Sequence, residues 1–329
     1  METLTIFTPT YNRAKFLPRA FEALKRQTLK DFLWMIIDDG STDNSFLICE
    51  KYKKRDNRIQ LYTNKNVGQG LERNFGIKKS TGEYIAFLDS DDQYKENMLE
   101  KLYQRAIETN ADMVSCRIVD MHDGKIIKEH PLNDKVLIGC KEIKAAMADM
   151  ISYEEKDGYS GCIAVWDSIF KRDIIENEGI QFFSERDVYS EDLLFKLMFM
   201  THAKKIAFCT EAVYLYRVND TSFTHRIDVS VLKKIVNLYN EVCILFGDVL
   251  KDYNLKRRII NRTFFTLRFN INKISKTRDA KDFYRILLND QEIMRVIDLY
   301  QPTNLKNIVV YYSLKWKLIR VFEILSKIN

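Results

Sequence analysis

The first 116 residues alternate between short apolar runs and longer segments in which apolar residues recur every three or four positions. The runs read LTIFT, LWMIID, IQLYT, YIAFL and DMVSC, and their β-branched and aromatic residues predict strands. The intervening segments predict helices near Ala14–Gln27, Ser45–Lys54, Leu71–Lys79 and Asn97–Thr109. This order favours an α/β fold with a Rossmann-like parallel sheet and helices on both of its faces.

The pattern changes twice further along the chain. Between Ile118 and Ser160 it loosens, with MHDGK predicting a hairpin turn and ISYEEKDGYSG predicting a polar loop. Beyond Asp228 it is almost wholly helical. We therefore predict two domains, an α/β domain over residues 1–228 and a helical domain over residues 229–329.

The composition is that of a globular protein. Apolar residues make up 46% of the chain. Nowhere does an apolar segment run for eighteen residues without a charged residue, as a membrane-spanning helix would. The start of the chain lacks a signal-peptide pattern, and the six cysteines form no C-x-x-C pair, so we expect a cytoplasmic protein with inert thiols.

Positive charge is concentrated in the predicted helical domain. Residues 231–329 contain 19 Lys and Arg against 9 Asp and Glu, in a chain whose net charge is +6. The surplus is dispersed and no base-reading motif accompanies it, which argues against nucleic acid as a partner. The last predicted helix has an apolar stripe, Ile308, Tyr312, Ile319 and Phe322, with basic residues among it. We expect it to form a helical bundle or homo-oligomer contact, or alternatively to lie on the anionic inner face of a membrane.

Polar segments follow three of the predicted strands. They read TPTYNR, DDGSTD and DSDD, and in parallel sheets ligands bind outside the carboxyl ends of the strands. In an extended segment Asp89 and Asp91 share one face, and two converging carboxylates suit a hard divalent cation. The alternative is that Asp91 or Asp92 caps a helix starting near Tyr94.

Three ordered blocks resemble the family 2 glycosyltransferases, which have the nucleotide-sugar-binding GT-A fold. The first runs from TPTYNRAKFLPRAF to DDGSTDNS, the second is NVGQGLERNFGIKKSTGEYIAFLDSDD, and the third runs from AVWDSIFKRDII to YSEDLLF. The resemblance covers about the first 225 residues. The chain departs from it at Asp167-Ser168, where the family pattern has Asn-Lys, and this affects the expected sugar and acceptor contacts.

The resemblance implies a nucleotide site at the first two blocks. Thr8 to Arg13 would lie along the nucleotide, with Pro9 shaping the turn and Tyr11 near the uracil. Asp39 would accept from the uracil imide N–H, while Asp38 would cap the following helix, or the two would exchange these roles. Arg73 would face the uracil or the phosphates. The full set of implied nucleotide-sugar contacts is Thr8, Pro9, Tyr11, Arg13, Asp39, Arg73, Asp89 and Ser90.

The resemblance also implies a metal and a catalytic base. Asp91 would coordinate Mn²⁺ or Mg²⁺ between the phosphates, Asp89 would hold the ribose or share the metal, and His225 is a further candidate ligand. Asp192 would be the base that deprotonates the acceptor hydroxyl, with Glu191 as a neighbour that binds acceptor or sugar; the alternative is that both merely begin a helix. One base on the face opposite the leaving group predicts inversion.

The implied function is metal-dependent, inverting transfer of a sugar from a UDP-sugar to a hydroxyl of a glycan acceptor. One alternative is a sugar-nucleotide pyrophosphorylase, which should carry a Gly-rich loop after the first strand, whereas TPTYNRA has no Gly. Another is a non-catalytic glycan-binding or assembly partner that retains the fold.

Overall fold

The computed structural model describes residues 2–152, 162–218, 230–274 and 280–318. These residues form ten strands and twelve α-helices. The strands are β1 Leu4–Thr10, β2 Phe32–Asp38, β3 Ile59–Thr63, β4 Tyr84–Phe87, β5 Gln93–Tyr94, β6 Met113–His122, β7 Lys125–Glu129, β8 Val136–Ile138, β9 Ser168–Lys171 and β10 Lys205–Arg217. The helices are α1 Leu17–Lys25, α2 Ser45–Lys53, α3 Gln69–Ile77, α4 Met98–Thr109, α5 Gly139–Ile151, α6 Arg172–Asn177, α7 Glu191–His202, α8 Ser230–Phe246, α9 Leu255–Ile274, α10 Ala280–Asn289, α11 Gln291–Asp298 and α12 Leu305–Lys315.

The strands form one mixed sheet in the order β3-β2-β1-β4-β9-β6-β10-β5, with β7 paired to β6 and β8 to β10. Strands β1 to β4 are parallel, as predicted. The sheet as a whole is mixed, because β9 lies antiparallel between β4 and β6. Its four residues begin more than forty positions after the end of β6, and so short a run carries no signal of its direction.

Helices cover both faces of this sheet, which confirms the α/β prediction. Leu4 and Ile6 of β1 belong to a buried cluster with residues of α1, α2 and α4. Phe7 of the same strand faces the other side, because side chains alternate along a strand. There a Cβ on Gly76 of α3 would come within 2.6 Å of the Phe7 ring. Gly76 therefore allows α3 to lie close against the sheet.

The MHDGK segment forms the predicted hairpin turn between β6 and β7. Asp123 and Gly124 both have positive φ angles, 47° and 78°. Two successive left-handed residues are typical of a type I′ turn, whose twist matches that of the paired strands. The predicted polar loop ISYEEKDGYSG falls almost entirely outside the described residues.

The chain divides into two compact units. Unit 1 comprises Met1–Met147, Lys156–Glu185 and Glu191–Asn219, and unit 2 comprises Ala148–Glu155, Arg186–Ser190 and Asp220–Asn329. Two short segments from earlier in the chain thus join the helices of unit 2. Arg258 of α9, for example, donates to the carbonyl of Ala148 and to the hydroxyl of Ser152. The predicted domain boundary between 228 and 229 lies outside the described residues and stays a prediction.

Helix α12 does not bury the apolar stripe that the sequence predicts. It buries Val310, Tyr311 and Leu314, whereas Tyr312 is 40% exposed. The other end of the predicted stripe, Ile319 and Phe322, lies outside the described residues. Among the described helices, none combines the length and apolar character needed to cross a bilayer.

Candidate active site

The loops after β1 and β2 are joined by Asn12, which sequence reasoning missed. Its side-chain oxygen accepts hydrogen bonds from the backbone N–H groups of Thr42 and Asp43, at 2.8 and 3.2 Å. Its own N–H donates to Ser41, and its φ of 54° is a left-handed conformation that Asn tolerates better than most residues. An Asn within a turn between two predicted site loops was the available signal.

The predicted nucleotide-contacting residues of the first loop lie in different environments. Thr8 is fully buried within β1, and its hydroxyl accepts from the Trp34 indole N–H at 2.9 Å. Its side chain therefore faces the core and not the crevice, contrary to the prediction. Pro9 and Arg13 are half-buried, and Tyr11 is 42% exposed. Their roles toward a nucleotide stay predictions.

Asp38 ends β2 and Asp39 follows it, and neither caps α2: the N-cap residue Asn44 makes no side-chain cap, and the Ser45 N–H of the first turn donates to Asp43. This corrects the expectation that one of them would. Asp38 accepts from the N–H of Ser41 at 3.0 Å. Asp39 accepts from the N–H groups of Val67 and Gly68, at 2.6 and 2.9 Å. The Asp39 carboxylate therefore fixes the loop that leads into α3.

The acidic loop after β4 does not support the alternative that Asp91 or Asp92 caps a helix near Tyr94. Helix α4 begins at Met98 and residues 93–94 are a strand, so no helix starts near Tyr94. The buried Asp92 accepts instead from the Tyr214 hydroxyl and the Arg217 N–H, at 2.8 and 2.7 Å. Asp92 therefore attaches the loop to β10, which leaves Asp89 and Asp91 for other partners. Ser90 is buried between them.

Arg73 of α3 gathers carboxylates from two distant motifs. Its Nη1 lies 2.6 Å from Asp192 and 3.4 Å from Glu191, and its Nη2 lies 3.1 Å from Asp89. The Arg73 side chain is only 1% exposed. Burial alone would lower the pKa of Arg73, but the three neighbouring carboxylates raise it instead. Arg73 is therefore a permanent cation at the centre of the acidic cluster.

This position differs from the predicted one, in which Arg73 faces the uracil or the phosphates. Its guanidinium lies 5.2 Å from the ring centre of Phe182 and 5.7 Å from that of Phe87. Aromatic rings and carboxylates thus surround it. A helical Arg in a polar stretch gave no sign of such burial, because three of the contacts, with Phe182, Glu191 and Asp192, come from residues more than a hundred positions away.

Glu191 and Asp192 begin α7 and differ in protonation. Burial first, and the charge of Asp192 second, raise the pKa of Glu191 to about 8 despite the opposing effect of Arg73. Glu191 is therefore neutral at pH 7 and is a poor proton acceptor. Burial also raises the pKa of Asp192, but Arg73 opposes the shift and Val165 donates a backbone hydrogen bond. Of the two, Asp192 is the one suited to accept a proton.

The surroundings of Asp91 fit a divalent cation. Burial and the charge of Asp89 raise the pKa of Asp91, while Arg13 and Arg217 lower it. Hard carboxylate oxygens of this kind suit Mg²⁺ or Mn²⁺. No group of three or more His, Cys, Asp and Glu side chains in the described parts of the chain could hold a metal. A cation here would thus depend on one or two carboxylates and on ligand phosphates, as is usual for Mg²⁺.

Behind Asp192, a buried ion pair occupies the position where the chain departs from the family pattern. Lys196, one turn after Asp192, donates to Asp167 at 2.6 Å and to the carbonyls of Cys162 and Ala164 at 2.9 Å. Both charged side chains are almost completely buried. The Lys196 ammonium thus fixes the segment whose Val165 N–H contacts Asp192. The predicted ligand His225 lies outside the described residues.

The comparisons with known proteins agree with this geometry. The sequence profile of the family "Glycosyl transferase family 2" matches residues 5–173, about half of the chain. The chain belongs to this family. It is 30% identical over 224 residues to the uncharacterized glycosyltransferase EpsJ of Bacillus subtilis, covering 67% of this chain and 62% of EpsJ. It is also 30% identical over 273 residues to glycosyltransferase GlyG of Streptococcus pneumoniae, covering 77% of this chain and 88% of GlyG.

Among solved structures, the fold is similar to that of S. aureus TarS 1–349, crystallised in complex with UDP-GlcNAc. The TM-score is 0.69 at 17% sequence identity, and the match covers 99% of this chain and 90% of that chain. The predicted GT-A fold is thereby confirmed. This family 2 protein is a glycosyltransferase of a kind found in bacterial glycan biosynthesis, which favours glycosyl transfer over the pyrophosphorylase alternative.

Proposed function

We propose that this glycosyltransferase is metal-dependent, uses a UDP-sugar and transfers the sugar with inversion to a hydroxyl of a glycan acceptor. The observation that carries the proposal is the Arg73 cluster, which brings Asp89 of the DSDD loop together with Asp192 of α7. Asp89, the proposed donor-binding carboxylate, and Asp192, the candidate base, thus both contact the buried Arg73 guanidinium. The TarS complex with UDP-GlcNAc supports a UDP-sugar as the donor.

In the proposed mechanism, Asp192 accepts the proton of the acceptor hydroxyl as that oxygen attacks the anomeric carbon. Arg73 keeps Asp192 ionised and correctly oriented, since it donates to the Asp192 carboxylate at 2.6 Å. The neutral Glu191 accepts from Gln69 at 2.6 Å and can donate its proton to a sugar or acceptor hydroxyl. Asp91, with Asp89, would hold a divalent cation, which neutralises charge on the departing nucleoside diphosphate.

The donor is tested by measuring the release of nucleoside diphosphate from a panel of UDP-sugars with Mn²⁺, with and without glycan acceptors. GDP-mannose serves as the control donor. We expect release from at least one UDP-sugar and none from GDP-mannose. Release only from the control would overturn the proposed donor class.

Asp91→Ala should remove the metal dependence of UDP binding while the protein still folds, because Asp91 lies at a crevice and not in the core. Calorimetric titration with UDP, with and without Mn²⁺, measures this. We expect Mn²⁺ to strengthen UDP binding at least tenfold in the wild type and to have no effect in Asp91→Ala. Glu108→Gln, an exposed substitution on α4, is the control. Equal Mn²⁺ effects in Asp91→Ala and the wild type would assign the metal to other residues.

We further propose that the basic end of the chain contacts an anionic membrane or a second copy of the protein. Tyr312 and Trp316 are exposed neighbours, with ring centres 4.8 Å apart, and Lys315 and Lys317 lie beside them. Removing residues 317–329 together with the substitutions Tyr312→Ser and Trp316→Ser takes away this surface and keeps the buried face of α12. In the membrane case the truncated protein no longer sediments with anionic vesicles. If the contact is with a second copy of the protein, light scattering shows a smaller particle after truncation. A truncated protein that behaves like the wild type in both assays would contradict the proposal.

A further inference from the structure

Glu72 of α3 is a buried acid that the proposed mechanism does not use. Its exposed fraction is 0%, and its Oε2 accepts from the Asn64 side-chain amide at 2.8 Å. Its other oxygen, Oε1, is buried and has no ordinary hydrogen-bond donor within the described parts of the chain. If the Glu72 carboxylate were ionised, its Oε1 would have lost its hydrogen bonds to water without gaining one from the protein, which is energetically costly.

The carboxyl of Glu72 faces that of Asp39 closely enough for the two to share a hydrogen bond. The charged groups acting on Glu72 are Asp39 and, more weakly, Asp38, both at the carboxyl end of β2. From the loop after β3 it receives only the uncharged amide of Asn64. Two carboxylates in contact cannot both be ionised at modest energetic cost, so one of them carries a proton.

The proton belongs on Glu72. Asp39 accepts a backbone N–H bond at each of its two oxygens, from Val67 and Gly68, so both oxygens already act as acceptors. Glu72 accepts a single amide bond and is the more deeply buried of the two. Burial first, and the hydrogen bond with Asp39 second, raise the pKa of Glu72 to about 8.

A count of acceptor positions connects this pair to the nucleotide. A carboxylate offers about four lone-pair positions. On Asp39 two are taken by backbone N–H groups, and a third would be taken by the Glu72 O–H. The remaining position matches a ligand with one N–H donor at its base edge, such as the imide of uracil.

We propose that Glu72 is a positioning residue for the nucleotide: it keeps its proton in the folded protein and donates it to Asp39, holding that carboxylate ready to accept from the base. This inference rests on the proposed UDP-sugar function. When Glu72 ionises on the alkaline side, the two carboxylates repel each other and the loop between Asn64 and Gly68 is no longer held against Asp39. UDP affinity should therefore fall as the pH rises past about 8.

The test measures UDP dissociation constants from pH 6 to 9 for the wild type, Glu72→Gln and Glu72→Ala. Gln has an N–H₂ group that can replace the donated proton and does not ionise. We expect Glu72→Gln to bind UDP within about threefold of the wild type at pH 7, and Glu72→Ala about tenfold more weakly. Between pH 7 and 9 the wild type should lose at least about fivefold more affinity than Glu72→Gln. The uracil imide also titrates, but equally in both proteins.

A second readout needs no ligand. Because the folded-state pKa of Glu72 lies above its unfolded value of about 4.5, the wild type loses stability as the pH rises from about 4.5 to about 8. The Tm of Glu72→Gln should therefore gain on that of the wild type across this window, whereas Glu108→Gln should follow the wild type. Parallel Tm profiles for Glu72→Gln and the wild type would overturn the inference, as would equal alkaline losses of UDP affinity. If no variant binds UDP but the Tm profiles diverge as expected, Glu72 holds the proton and the proposed function is what fails.

Discussion

Asp192→Asn should lower turnover by about 10²-fold or more while UDP and Mn²⁺ still bind. The substitution keeps the size of the side chain and its hydrogen bond with Arg73, but it removes the carboxylate proposed to accept the proton, which lies 2.6 Å from the Arg73 guanidinium. Single-turnover kinetics with a saturating donor separate this effect from binding. The affinity for UDP, measured by calorimetry, should change by less than about threefold.

Glu191→Gln is the matched control, because Glu191 is the adjacent acid and is neutral at pH 7. We expect turnover to fall by less than about tenfold, and an alkaline decline near pH 8, where Glu191 ionises, to disappear. If Asp192→Asn retained near-normal turnover and Glu191→Gln abolished it, Glu191 would be the base. If both variants retained it, the two acids would only begin α7, and the inverting mechanism would lose its main support.

Arg73→Met should destabilise the protein by about 3–5 kcal/mol and abolish transfer. Methionine fills much of the space against Phe87 and Phe182, but it leaves Asp89, Glu191 and Asp192 close together without a cation. Chemical denaturation measures the free energy of unfolding. Arg26→Met is the control: the Arg26–Glu96 pair is solvent-exposed, so its loss should be close to neutral.

The pH dependence distinguishes lost charge from lost packing in Arg73→Met. Without the guanidinium, the folded-state pKa values of Glu191 and Asp192, already raised by burial, should rise further. A group with a raised folded-state pKa contributes less stability as the pH rises, so the defect should be smaller near pH 5 than near pH 8. A defect of equal size at both values would indicate lost packing and not unpaired charge.

Sequence reasoning predicted the elements of the first third of the chain because each depends on a local pattern. LTIFT and IQLYT are apolar runs bounded by polar residues, and both are strands. It failed where the pattern was short or the contact distant. The direction of β9 depends on its neighbours in the sheet. The burial of Arg73 depends on residues that follow it by 118 and 119 positions.

The same distinction applies to the candidate site. Strand-end acids are visible in the sequence, since DSDD follows an apolar run. What each acid contacts is not visible, and Asp92, adjacent to the predicted metal ligand, is instead a buried attachment to Tyr214. Likewise, Asp39 is held by backbone N–H groups from a loop almost thirty residues later. The residue types therefore indicate the chemistry of the site, whereas the partner of each acid is known only from the structure.

The Arg73 cluster also determines at what point during protein synthesis the candidate site can form. Its guanidinium and Asp89 emerge early from the ribosome, but Glu191 and Asp192 follow more than a hundred residues later. Until then Arg73 has only one of its three acidic partners, Asp89, available for pairing. Chains of this kind gain non-local contacts late, because loop closure precedes the stabilisation that those contacts provide. The acids Asp39, Asp89 and Asp91 are therefore synthesised within the first ninety-two residues, whereas the Arg73 cluster is complete only when translation has passed the start of α7.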